Sequence, residues 1–139
     1  MKFIVLTVVT ILSSIVSFAQ EKASQNITVT IDNIKNDTGK IILSLHDETT
    51  FLVADGIQNK ETEIKDGKIK VTFKNVQPGS YAIMALHDEN KNNAMDFDTN
   101  RMPLESYGMS NNPLGYGPPQ YRDAKFEVKN EDINMTIRF

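Results

Sequence analysis

A run of oxygen-bearing side chains follows His87: Asp88, Asn90, Asn92 and Asp96, with Asp98 and Thr99 close behind. Counted from Asp88, the oxygens fall at positions one, three, five and nine. Alternate residues of a tight loop turn into one concavity, and this is the ligand spacing of a calcium loop. Calcium is a hard cation that takes carboxylate, amide and backbone carbonyl oxygens together. Position six, where such loops carry Gly, is Asn93, a residue that tolerates positive φ. Position twelve is Thr99 in place of a bidentate Glu, so Asp98 or Glu105 has to complete the shell. The expected metal set is therefore Asp88, Asn90, Asn92, Asp96, Asp98 and Glu105, with Ca2+ as the ion. The competing reading is a polar loop whose Asn and Asp side chains bond their own backbone.

The same residues admit a second chemistry. His87 beside loop carboxylates could act as general base in a small extracytoplasmic hydrolase. His87 and His46 are the only histidines, and no nucleophile with an orienting partner is visible. Ser110 lies in no nucleophile elbow and reads as a turn residue. A cluster of like charges is also simpler to hold with a cation than without one. The metal reading is preferred, and the chain is expected not to be an enzyme.

The elements that must position this loop are strands. Ile27, Val29 and Ile31 alternate with polar residues, as do Ile41, Leu43 and Leu45 within Lys40–His46. These two segments are expected to pair as an antiparallel hairpin across the turn Lys35–Gly39. Phe51 is expected to tuck a surface loop against the sheet. A short strand is placed at Glu61–Lys65, the Asp66-Gly67 hairpin signal follows, and then the alternating strand Lys68–Lys74. Pro78-Gly79 is read as a turn with Gly supplying the positive φ. Tyr81–Leu86 is apolar on both faces, as befits a central strand, and it delivers Asp88 at its end. Residues 101–120 form one long, aperiodic loop whose Leu104, Tyr107, Met109, Leu114, Tyr116 and Tyr121 offer surface to bury; Tyr107, Tyr116 and Tyr121 are expected to pin it. Strands at Ala124–Val128 and Ile133–Phe139 close the chain, and no helix is expected. About seven strands predict an all-β fold, an antiparallel Ig-like β-sandwich with one long ordered loop and a barrel as the alternative.

The chain has 139 residues, enough for one domain. Lys2, an apolar stretch to Val16 and the small residues of Ser17-Phe18-Ala19 form a signal peptide over residues 1–19, leaving a single domain over residues 20–139. No membrane span is expected after cleavage. Without Lys2 the domain carries 14 basic against 18 acidic side chains, a net charge of −4. That excludes the basic footprint of a nucleic-acid partner. Cysteine is absent, so burial rather than disulfides must hold an exported fold. The expected setting is the periplasm or the exterior, with a protein or glycan partner at the cell envelope.

An ordered series of motifs carries a family resemblance. Val76-Gln77-Pro78-Gly79-Ser80-Tyr81-Ala82, His87-Asp88-Glu89-Asn90-Lys91-Asn92, Pro103-Leu104-Glu105-Ser106-Tyr107-Gly108-Met109-Ser110-Asn111 and Pro118-Pro119 together resemble a bacterial secreted family catalogued as domain of unknown function 2141. The resemblance runs from Ile27 to the C-terminus. Asn93 stands where the family often has Gly. The Pro-Gly-x-Tyr turn is also similar to that of prealbumin (transthyretin-like) sandwiches, which bears on fold and not on function. The resemblance implies export and a β-sandwich, and no activity.

Overall fold

A computed structural model describes residues 23–139, so the leader expected over Met1–Ala19 lies outside the described residues. The strands are Gln25–Ile31 (β1), Lys40–His46 (β2), Gln58–Thr62 (β3), Ile69–Val76 (β4), Gly79–Asp88 (β5), Tyr107–Met109 (β6), Phe126–Val128 (β7) and Ile133–Thr136 (β8). One helical turn, Tyr121–Ala124 (α1), precedes β7. The fold is all-β, and the strands lie in two sheets. One has the order β4-β1-β8; the other runs β3-β2-β5-β6, with β7 paired to β5 as well. All pairings are antiparallel except β1 with β8, which is parallel.

Alternation places the core. Ile27, Val29 and Ile31 of β1 meet Ile41, Leu43 and Leu45 of β2, with Phe73, Ile83 and Ile137 between the sheets. Each such side chain contributes roughly 1.5–3 kcal/mol on burial. β5 is the axis of the larger sheet. Its inward residues Ile83, Ala85 and His87 enter the core, and its outward residues Met84, Leu86 and Asp88 face the other way.

The expected β1–β2 hairpin does not form: the two strands lie in opposite sheets. The reason lies in the connection between them. Ile34 is buried, and its N–H donates to the Gly67 carbonyl oxygen. The Asp37 carboxylate accepts the N–H groups of Asp66 and Gly67 at 3.0 and 2.8 Å. The connection is thereby tied to the next turn and crosses from one sheet to the other. Asp66-Gly67 is a two-residue hairpin as expected, with φ of 54° and 68° and a bridge between Lys65 and Lys68. The strand before it lies at 58–62 instead of 61–65, and it pairs β2 rather than β4.

The positive φ expected at Gly79 falls on Asn75 (57°). One extra residue of β4 fits between the pairs Gln25–Val76 and Ile27–Phe73, and this bulge swings Val76 into the core. The long loop contains β6, which is too short to show a period. Where β6 and β7 succeed each other along one edge of β5, Ser110 fills the gap. Its Oγ accepts the Ile83 N–H at 3.0 Å and donates to the Ala124 carbonyl oxygen, and its own N–H donates to the Ile83 carbonyl oxygen. Ser110 is fully buried, a bridging residue rather than a simple turn residue.

Gly39 (φ 77°) lies where the crossing connection meets the end of β5. A Cβ there would collide with the Asp88 carbonyl oxygen and the Glu89 Cα. Gly39→Ala is therefore expected to lower the melting temperature by roughly 5–10 °C, through backbone strain and the clash. Gly115→Ala, with no atom within 4 Å, should leave it unchanged.

Candidate functional site

β5 ends at Asp88, whose side chain is fully buried. A carboxylate can be buried only if its oxygens are bonded. Asp88 bends the following chain back on itself: Oδ1 accepts the Asn92 N–H at 3.1 Å and Oδ2 the Asn93 N–H at 2.9 Å. The return requires positive φ at Lys91 (60°) and Asn93 (65°), the conformation that Asn93 was expected to tolerate. The amide oxygens of Asn90 and Asn92 accept the N–H groups of Asn92 and Ala94. Their amide nitrogens donate to the Asp96 carboxylate, from Asn90 at 2.6 Å and from Asn92 at 3.0 Å. Glu105, also buried, clamps the loop from its far end. It accepts the Glu89 N–H at 2.9 Å on Oε1 and the Asp96 N–H at 3.3 Å on Oε2.

Five of the six expected ligands, Asp88, Asn90, Asn92, Asp96 and Glu105, are thus brought together by shared hydrogen bonds. Asp98 serves a turn of its own, accepting the N–H groups of Asn100 and Met102. Among the described residues no three carboxylate or imidazole groups are placed to hold a metal ion by themselves. A cation here would draw on the Asn90 and Asn92 amide oxygens as well. One cation already stands at the loop: Lys40, the cross-strand partner of Asp88, donates to Asn93 Oδ1 and pairs with Glu61.

His87 does not sit in the open pocket that a hydrolase needs. It is fully buried and lies stacked on Phe139 at 6.3 Å. Its Nε2 donates to the Thr38 carbonyl oxygen at 2.7 Å. Nδ1 has no hydrogen-bond partner among the described residues and lies 3.8 Å from Glu89 Oε1. The Phe139 lid is tied down by Asn33, which bonds both its N–H and its carbonyl oxygen.

The loop has a second face. Its residues Met95, Phe97, Arg101, Met102 and Pro103 form one wall of a groove of about 1280 Å³ over the outer side of the larger sheet. Ile42, Met84 and Leu86 floor it, and segments 52–56 and 115–119 supply other walls. Phe97, Met102 and Tyr116 are left exposed (57, 61 and 110%). Tyr121 pins its segment by donating to the Ser80 carbonyl oxygen, whereas Tyr116 stands fully exposed. Phe51 tucks in as expected, edge-on to His46 and Tyr121. Burial pulls the pKa of His46, a groove residue, below its ordinary value, partly opposed by hydrogen bonding to Thr50 and by the charges of Asp47 and Asp55. The groove escaped sequence reasoning. Its one signal was the two-sided apolar character of Tyr81–Leu86.

These features define a two-sheet β-sandwich whose larger sheet carries a self-bonded acidic loop and an apolar groove on one face. Residues 29–136 match the family described as "Uncharacterized protein conserved in bacteria (DUF2141)", and the chain belongs to that family. No curated protein and no solved structure matches it.

Asp88→Asn keeps the volume but turns an amide N–H2 against a backbone N–H. Denaturant unfolding is expected to show a loss of about 1–3 kcal/mol, the cost of leaving a buried donor unpaired. An unchanged midpoint would mean that the Asp88 carboxylate does not hold the loop.

Proposed function

We propose that the chain is an exported, non-catalytic binding module whose acidic loop takes calcium and thereby keeps its recognition surface in place. The ion would lie among Asp88, Asn90, Asn92 and Asp96, with Glu105 closing the shell. The convergence of these five side chains on one loop carries the reading. A half-turn of either Asn amide would present its oxygen in place of its nitrogen, and the acidic oxygens keep lone pairs beyond those spent on N–H donors. The recognition surface is the groove that this loop walls.

One observation favours a second reading, an ion-free scaffold: both oxygens of Asp88 and of Glu105 already accept N–H groups. Thermal melts separate the two. At a hundredfold excess of calcium over its Kd, the melting temperature is expected to rise on the order of 10 °C over that in chelator. Asp96→Ala should abolish the rise while leaving the chelator value close to wild type. Superimposable melts with calcium and chelator would remove the ion and leave the scaffold.

A further inference from the structure

The groove has a distinct charge arrangement. Three charged side chains line it: Asp55, Glu61 and Arg101. Glu61 is paired with Lys40 at 2.8 Å, whereas Arg101 and Asp55 have no ion-pair partner among the described residues. Asp55 belongs to the segment that follows β2, so it enters from the His46 end of the floor. Arg101 belongs to the loop that leaves β5 at Asp88, which is the Lys40 end of the floor because Lys40 pairs with Asp88. Between these ends the floor is Ile42, Ser44, Met84 and Leu86, half-buried on the outer sheet face. Ile42 to His46 spans about 13 Å at ~3.3 Å per residue.

We propose that the groove binds a small amphiphile with a flexible apolar chain and one carboxylate, the chain lying over Ile42, Met84 and Leu86 and the carboxylate meeting Arg101. At about 1280 Å³ the groove is roomier than an ordinary small-ligand pocket, and its lining is that of one, mostly apolar with few polar anchors. Met84, Met95 and Met102 supply adaptable, polarizable surface suited to a flexible chain rather than to a rigid ring system. Arg101 provides the planar fork that matches a carboxylate, and Asp55 repels the same group from the opposite end. Orientation follows from this polarity. A single unpaired cation on an acidic protein favours a monoanion over a dianionic head or an anionic membrane surface. The proposal rests on the groove as recognition surface, taken from the reading above, and needs no calcium.

Calorimetric titration of the folded chain in chelator, with probes below their micelle concentrations, tests it. Dodecanoate is expected to bind at one per chain, with dodecanol and dodecyl phosphate weaker. Arg101→Ala should weaken dodecanoate about tenfold or more and dodecanol hardly at all. Leu86→Gln, its fold checked by circular dichroism, should weaken both. Equal binding of dodecanoate and dodecanol, unaffected by Arg101→Ala, would overturn the carboxylate assignment and leave the groove an apolar site. Tighter binding of dodecyl phosphate would overturn the monoanion. Absence of any saturable binding, or several equivalents per chain, would overturn the ligand, and a calcium-dependent melting shift would survive that result.

Discussion

A carboxylate buried at the end of a central strand must find donors, and Asp88 finds them in the backbone that follows it. That constraint shapes this end of the molecule. To bring the N–H groups of Asn92 and Asn93 onto Asp88, the chain reverses through two left-handed residues, Lys91 and Asn93. The reversal aims Asn90 and Asn92 at Asp96, and Glu105 then fastens the returning chain to the start of the loop. Charge-assisted bonds of this kind are roughly twice as strong as neutral ones. An excursion without regular structure therefore has a defined shape.

The loop's position has consequences on both faces of the sheet. Inward, His87 is sealed between Thr38 and Phe139, so the imidazole next to the acidic loop is closed off from solvent. Outward, the wall from Met95 to Pro103 overhangs apolar residues of β2 and β5. Alternation along one strand thus separates a buried histidine from an apolar groove by a single residue.

The loop was legible because its logic is local: acceptors at alternate positions and an Asn where positive φ is needed. Strand alternation likewise marked the inward faces of β1, β2 and β4. Sheet membership was not legible. Adjacent strands β1 and β2 look like a hairpin, but Ile34 and Asp37 tie their connection to residues some thirty positions later, a contact that no local pattern announces. β6 is three residues long, below the length at which a period shows. Ser110 reads as a turn because its partners, Ile83 and Ala124, are remote. Asp98 was expected as a stand-in for the missing position-twelve Glu yet bonds Asn100 and Met102, since a short-range turn competes for the same carboxylate. The groove exists only once β2, β5 and three loops are assembled.

The central claim is that the Asp88 and Glu105 carboxylates hold the loop by accepting backbone N–H groups. Amide hydrogen exchange, followed residue by residue in the folded chain, reads those N–H groups directly. Slow exchange at Asn92, Asn93 and Glu89, set against fast exchange at the neighbouring Lys91, is the expected pattern. Exchange at Asn92 and Asn93 as fast as at an unstructured terminus would contradict the account.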